Sequence, residues 1–446
     1  MESKLPKNWV ETELGVISQV ITGNTPSKKH SEYYNGDIPW IKPGDIRTGI
    51  ELFNSVETLT EEGAKNARLL SKGAVMVTCI GNLGNVAIAG TQMATNQQIN
   101  SVIFNKYIDD KYGYYACNLL KPWLIENSTS TTISMVNKSV FSKAPFPLPP
   151  LAEQQRIVAK LDTLFGSLDA LKIRLNNIPQ LIKNFKQAVL TQAVTGKLTQ
   201  EWRVGKELEE WEEINLQDIT IKIGSGSTPR GGSESYKEEG IPLVRSMNIH
   251  FNGIKLKGLA FIDEVQAERL KNVIIQENDI LLNITGASIG RVCLAEKNIF
   301  GGRVNQHVTI IRLNEDNSSE YVNMYLASSL IQNYIFKENY GVTRQALTKT
   351  QTQNLKINLP PKEEQTEIVK RVENLFSKAD KIESQYKILK EKIDRLPQAI
   401  LAKAFKGELV AQLPTDGDAK DLLEEIKKLK ESLVVKPKKK VVRNKK

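Results

Sequence analysis

The chain is written twice, and no other feature constrains its architecture as much. PPLAEQQRIVAKLDTLF, from Pro149, matches PPKEEQTEIVKRVENLF, from Pro360, without a gap. The offset of 211 still holds where QAVLTQAVTGKL, from Gln187, meets QAILAKAFKGEL, from Gln398, and about 15 of 50 paired positions are identical. A repeat of this length marks a supersecondary unit used twice.

The regions before these segments match more loosely. Gly23-Asn24-Thr25-Pro26 pairs with Gly226-Ser227-Thr228-Pro229, and Ile38-Pro39-Trp40-Ile41 with Ile241-Pro242-Leu243-Val244. IGNLGNVAIA, from Ile80, is similar to TGASIGRVCLA, from Thr285, and Asn96-Gln97-Gln98 to Asn305-Gln306-His307. The offset drifts from 202 at Trp9/Trp211 through 203 at the Thr-Pro loops to 209 at the Asn-Gln pairs. Insertions therefore accumulate in the variable halves. The order is variable domain, conserved segment, variable domain, conserved segment.

Each conserved segment predicts a long helix with a coiled-coil seam. Ile157, Leu161, Leu164, Leu168, Leu171, Leu175, Ile178, Ile182, Phe185 and Val189 keep an unbroken 4-3 spacing. Their counterparts Ile368, Val372, Leu375, Ala379, Ile382, Tyr386, Leu389, Ile393, Leu396 and Ile400 are also apolar. A period of about 3.5 residues calls for a partner helix, and the simplest packing pairs the two antiparallel about a pseudo-twofold axis. Glu153-Gln154 and Glu364-Gln365 fall in the first turn, and Gly196 and Gly407 at the stop. Pro179 and Pro397 lie at non-equivalent seam positions, so each helix is expected to kink or break there.

The variable domains read as α/β or α+β. IPWI, AVMVTCI, VAIA and SVIF in the first, and IPLV, DILLNIT, VCLA and HVTIIRL in the second, are short strands between Gly, Asn, Ser and Thr turns. Helices are expected over Tyr112–Leu120 and Tyr321–Phe336, each before a polar loop. Trp40, Trp123, Trp202 and Trp211 are expected to pack in cores or linkers, since aromatic residues are not interleaved with basic runs as single-strand binding would need.

Composition narrows the class. No apolar run approaches the ~20 residues of a membrane helix, and MESKLPKNWV lacks the pattern of a secretory signal. Three separated cysteines (Cys79, Cys117, Cys293) and three histidines (His30, His250, His307) exclude a disulfide framework and leave metal sites poorly supplied. The expectation is a soluble, reduced, intracellular protein without a metal site.

PLPPLAEQQRIV, FKQAVLTQAVTGKLTQEWR, LPPKEEQTEIVKRVENLF and QAILAKAFKGEL together resemble the specificity subunit of type I restriction-modification systems, as does the opening Lys4-Leu5-Pro6…Trp9-Val10. The resemblance covers nearly the whole chain. It implies two target recognition domains, each reading one half of a bipartite, asymmetric DNA site, with the paired helices as spacer and as the dock for two methyltransferase subunits. Restriction (motor-nuclease) subunits join that core. On this basis, residues 1–148 are target recognition domain 1, 149–200 spacer 1, 201–358 target recognition domain 2 and 359–412 spacer 2. Residues 413–446 form an amphipathic helix and basic tail. The helix positions assigned to spacing and partner binding are Glu153, Gln154, Ile157, Leu161, Leu164, Glu364, Gln365, Ile368, Val372 and Leu375. S-adenosylmethionine, ATP and Mg are implied on the partners, with no cofactor on this chain, and a prokaryotic cytoplasm as its place. Half-sites read from one face lie about one duplex turn (~34 Å) apart, within reach of a helix of roughly 60 Å.

Candidate DNA contacts follow from side-chain chemistry. Thr25, Ser27, Lys28 and Lys29, and in the second copy Ser227, Thr228 and Arg230, set hydroxyls beside cations, which suits phosphate. Lys42, Asp45 and Arg47, or Arg245, Asn248 and His250, follow each Ile-Pro strand and have base-reading chemistry. Asn96, Gln97 and Gln98, with Asn305, Gln306 and His307, offer amides suited to adenine. Ser130, Thr131 and Thr132, with Thr343, Arg344 and Gln345, belong to the late loops. Each set has an ordinary alternative as a surface turn or an amide tied to backbone.

No catalytic set emerges. Gly286-Ala287-Ser288-Ile289-Gly290 fits Gly-x-Ser-x-Gly, but its counterpart Ile80-Gly81-Asn82-Leu83-Gly84 has no serine, and His307 is the only downstream histidine. No phosphate-binding Gly-x-x-x-x-Gly-Lys loop is present. The chain therefore reads as a non-catalytic recognition subunit; the competing class is an adaptor coiled-coil protein whose globular domains bind protein. The net charge of +10 does not decide between them, because seven cations sit in the terminal KPKKKVVRNKK and residues 1–435 carry only +3.

Overall fold

A computed structural model describes residues 5–47, 49–129, 133–338 and 346–433. Six candidate residues (Ser130, Thr131, Thr132, Thr343, Arg344 and Gln345) and the basic tail lie outside these. The chain divides into two compact units: residues up to Arg174 together with those from Leu389 onward, and Leu175–Ile388. This division cuts both long helices. Each unit holds one variable domain, part of one helix and the complementary part of the other.

The helices form at Leu151–Val194 and Lys362–Ala404, with Pro179 and Pro397 inside them. The expected break does not occur. A proline costs roughly 3 kcal/mol in a helix interior, and burial of flanking side chains such as Leu175, Val189, Ile393 and Leu401 offsets that cost. Gly196 and Gly407, at φ +75° and +74°, adopt the left-handed conformation that ends each helix.

In the first unit Ile157, Val158 and Leu161 share a core with Leu401, Ala404 and Phe405. In the second, Val189, Leu190 and Ala193 pack with Ile368 and Val372. The start of one helix meets the end of the other in both units, so the pair is antiparallel. Leu168, Leu175, Ala379 and Ile393 are also buried, but the seam positions Leu171, Phe185, Ile382, Leu389 and Leu396 stay exposed. Two helices cover each other along one stripe only, and the outer edge needs a third layer to be buried.

Each variable domain carries two small sheets and a two-stranded ribbon, and the second adds a short hairpin pairing Ile249–His250 with Gly253–Ile254. In the first unit, Ser18–Thr22, Ile99–Phe104, Val75–Thr78, Val86–Ala89 and Glu51–Leu52 form one sheet in that order. Thr58–Leu59, Tyr34–Ile41, Met93–Thr95 and Leu69–Leu70 form the other. The second unit keeps this plan with Thr220–Ser225, Val308–Leu313, Ile280–Asn283 and Val292–Leu294, then Ala260–Ile262, Ile241–Val244 and Arg303–Val304. The ribbons pair Val10–Glu13 with Pro145–Leu148 and Glu212–Asn215 with Lys356–Leu359.

The drift from offset 202 to 203 has a structural cause. Ser18 and Gln19 face Phe104 and Ile103, whereas Thr220 and Lys222 face Leu313 and Arg312, with a register shift at the residue between them. The inserted residue is Ile221, an exposed β-bulge. The helix expected over Tyr321–Phe336 is two helices, Ser319–Ala327 and Ser329–Glu338. Ser328 separates them with extended backbone, its hydroxyl donating to Tyr325 O at 2.6 Å.

The first unit also carries a helix that the second lacks among the described residues. Helix Ala419–Leu433 lays Ile426 into the core that holds Leu14 and Ile17, and Lys430 Nζ donates to the carbonyls of Gly15, Val16 and Ser18. These carbonyls end the short helix Leu14–Ile17, where a cation is favoured.

Candidate nucleic-acid interface

In both domains the candidate loops are hydrogen-bonded to one another. The turn after the first strand enters through Gly23, whose N–H donates to Ile99 O at 3.1 Å, and Asn24 N–H donates to Thr95 O at 2.9 Å. Thr25 Oγ1 then donates to Gln97 Oε1 at 2.6 Å. Asn96 N–H reaches Ile41 O at 3.0 Å, fixing the end of the Ile-Pro strand, and Cys79 N–H reaches Gln98 O at 2.8 Å. Gly81 N–H donates to Ser134 O at 2.9 Å, which attaches the flank of the late loop.

The second domain joins the corresponding loops, with some donors and partners changed. Gly226 N–H donates to Asn305 O at 3.2 Å, and Thr228 N–H to Gln306 Oε1 at 2.6 Å. Asn305 N–H donates to Val244 O at 3.1 Å, Ile284 N–H to His307 O at 3.0 Å, and Leu347 N–H to Ile284 O at 2.8 Å. A Cβ on Gly23 would lie 2.2 Å from Thr95 O, and one on Gly226 1.8 Å from Val304 O. The close approach of the Thr-Pro loop to its neighbour leaves no room for a side chain.

Within this frame the predicted residues divide into those that face out and those that hold the frame. Ser27, Lys28, Lys29, Arg47, Gln97, Ser227, Arg230 and Gln306 are exposed. Asn96 and Asn305 are buried: each side-chain oxygen accepts the N–H two residues on, from Gln98 at 3.1 Å and His307 at 3.0 Å. Their amides shape the turn and are not presented as adenine readers. Asp45 accepts from Lys42 N–H at 2.8 Å and Val56 N–H at 3.1 Å. Asn248 is buried, accepting from Arg245 N–H at 3.1 Å and donating to Lys255 O at 2.8 Å. Lys42 pairs with Glu57 and lies over the Trp40 ring. Arg245 sits over the Tyr236 ring at 5.1 Å and donates to Gly258 O, and His250 bonds Met247 O at 3.1 Å.

Sequence reasoning passed over Arg68, which is exposed at this edge. Its N–H donates to Asn24 Oδ1 at 2.9 Å and its guanidinium to Thr22 O at 2.7 Å. Only Asn24 in the Gly-Asn-Thr-Pro turn, a position that is Ser227 in the second copy, hinted at it. Ser288 Oγ accepts from the Asn283 amide at 3.1 Å, while His307 bonds Thr285 Oγ1 at 2.5 Å, so the serine and histidine of the Gly-x-Ser-x-Gly region have different partners.

The helix residues assigned to partner binding are used inside the chain. Gln154 Oε1 accepts from Asp109 N–H at 3.0 Å and its amide donates to Tyr107 and Pro149 carbonyls; Gln365 Oε1 accepts from Ser318 N–H at 2.8 Å. Glu153 accepts from Asn8 and Gln412, and Glu364 from Thr199, Arg203 and Trp211. These four residues, with Ile157, Leu161, Ile368 and Val372, are fully buried, and Leu164 and Leu375 are half-buried. The exposed apolar side chains on the helices are others: Leu171, Ile173, Leu389 and Leu396 in the first unit, and Leu181, Phe185, Ile382 and Ile388 in the second.

The model of the type I restriction modification DNA specificity domain family matches residues 6–180 and again 208–391. The chain belongs to this family. The EcoBI specificity subunit of Escherichia coli is 31% identical over 440 residues, covering 92% of this chain and 84% of that protein. The EcoKI specificity subunit of Escherichia coli K12 is 27% identical, covering 95% and 96%. The MjaIX specificity subunit of Methanocaldococcus jannaschii is 27% identical, covering 91% and 94%. The fold is that of the HsdS subunit from Thermoanaerobacter tengcongensis, with a TM-score of 0.63, 20% identity and coverage of 91% of this chain and 98% of that one. Both family matches run from a variable domain into the helix that follows it, as the duplication does.

Proposed function

We propose that this chain is the DNA-recognition subunit of a type I restriction-modification complex, each domain presenting its joined loops to one half of a bipartite, asymmetric duplex site. The observation that carries this reading is the repeated loop frame: hydrogen bonds join the corresponding loops in both domains, two of them equivalent (Asn96 to Ile41 and Cys79 to Gln98; Asn305 to Val244 and Ile284 to His307), while the outward side chains differ. Ser27, Lys28 and Lys29 stand where the second domain has Arg230, Gly231 and Gly232, and Gly44 where it has Met247. One frame with two sets of side chains suits two different half-sites.

The paired helices set the spacing and dock two methyltransferase subunits, with up to two restriction subunits joining them. The support is the four large apolar side chains that each unit leaves exposed on its helices. S-adenosylmethionine, ATP and Mg belong to those partners, and this chain contributes recognition without catalysis. No described helix is long and apolar enough to cross a membrane, in keeping with a place in a prokaryotic cytoplasm. Mapping methylated adenines in DNA from cells carrying the complete system tests the reading. A bipartite motif lost on deletion of this chain is expected; a contiguous palindrome, or methylation independent of the chain, overturns it. Duplex binding whose log affinity does not fall with log salt favours the adaptor alternative.

A further inference from the structure

The loop after each Ile-Pro strand is the same turn in both domains. Asp45 accepts from Lys42 N–H at 2.8 Å, and Asn248 from Arg245 N–H at 3.1 Å. The residue before the Asp or Asn is therefore thrown outward, and there the domains differ. It is Gly44 in the first and Met247, a residue 52% exposed, in the second. Phe251 and Leu256, further along the same segment, are also about half exposed, so the loop presents apolar groups, and Met247 is the one next to the shared turn.

Several contacts anchor this tip. Ser246 O accepts from the Asn283 amide at 2.9 Å, and Met247 O is bonded by His250 at 3.1 Å. The Met247 methyl lies 3.1 Å from where a Cβ on Gly258 would stand, and Gly258 O accepts from Arg245. Val244, three residues before, is tied to Asn305 in the joined-loop frame. The thioether is thus held beside the Arg245 cation, at the edge assigned to DNA.

We propose that Met247 is a specificity-determining residue of the second domain, contacting the 5-methyl group of a thymine in its half-site, while Gly44 makes no such contact in the first. The methyl is the apolar feature that a base edge offers in the major groove, and a thioether can pack on it without any hydrogen bond. The inference rests on the DNA-recognition reading above. Burying one methyl group is worth about 0.8 kcal/mol, or about fourfold in affinity.

The test uses the chain assembled with its methyltransferase subunits, and duplexes in which each thymine of the mapped motif is replaced in turn by uracil. At one thymine of one half-site the wild type loses about fourfold in affinity. Met247→Ala and Met247→Gly abolish that loss, and Met247→Leu restores it. Specific binding with the same uracil response in Met247→Ala, or no response at any thymine, overturns this inference alone. Failure of the wild-type complex to bind its motif overturns the parent reading and this one with it. Because Met247 is exposed, melting temperatures equal to wild type identify the effect as recognition.

Discussion

The guanidinium of Arg156 holds the carboxylate of Asp416 through two bonds of 2.7 Å, joining residues 260 positions apart. The Asp416 side chain is almost fully covered, and Arg156 is about one-third exposed. Arg156→Ala or Asp416→Asn therefore destabilises the first unit by about 1–2 kcal/mol, measured by chemical denaturation. The Arg156 bond holds the Asp416 carboxyl below its usual range. A depressed folded-state pKa contributes stability above the unfolded value, about 3.9, and loses it as pH falls through the folded one. The wild type is expected to lose this increment only below about pH 4, and Asp416→Asn to lack that acid limb.

Glu364 is the corresponding anchor of the second unit, accepting from Thr199 at 2.6 Å, Trp211 Nε1 at 3.0 Å and Arg203. Removing one partner of a buried ion pair leaves the other uncompensated, so Glu364→Ala costs about 3 kcal/mol or more. Tryptophan fluorescence should shift with it as Trp211 loses its acceptor. An unchanged midpoint and spectrum would show that the anchor contributes nothing.

Gly23 and Gly226 test the loop frame directly. Alanine at either position places Cβ within van der Waals overlap of a backbone carbonyl. Displacing that strand end costs about 1–3 kcal/mol. Each variant is expected to relax recognition of one half-site and leave the other intact, as read by methylation mapping.

Lys28, Lys29 and Arg230 are exposed and, among the described residues, form no ion pair. If they meet phosphates, each alanine substitution lowers the slope of log affinity against log salt by about 0.9 without altering the motif. A changed motif would reassign that cation from positioning to base reading.

Burial pushes the thiols of Cys79 and Cys293 up to about 12, and Cys117 is raised as well. All three are free and buried. Since thiolate is the reactive form, an aromatic disulfide reagent at pH 8 should label the native protein only at its unfolding rate and all three thiols promptly in denaturant.

The duplication and the heptad spacing made the long helices and the two-domain plan legible, because both are periodic signals that survive divergence. Ile221 shows what a gap count leaves out: one extra residue in an offset does not say whether it is a loop or a bulge, since that depends on pairing with Arg312 and Leu313. The amides show a second limit. Asn96, Asn305 and Asn248 have side chains suited to bases, yet the same chemistry serves a buried backbone N–H, and only burial separates the two uses. Gln154 and Gln365 were legible as first-turn residues, but their partners at Asp109 and Ser318 lie 45 and 47 positions away and needed the fold.

Glu153 receives Asn8 from one end of the described chain and Gln412 from near the other. The matching anchor, Glu364, receives Thr199, Arg203 and Trp211 from one continuous stretch. Order of synthesis then separates the two halves. As the ribosome delivers the chain from its N-terminus, the second unit has all its parts once Ile388 has emerged. The first unit, begun earlier, must wait for Gln412, Asp416 and the helix that carries Ile426. The half made first is the half finished last, so a nascent or truncated chain ending before residue 412 presents a complete second reader beside an open first one.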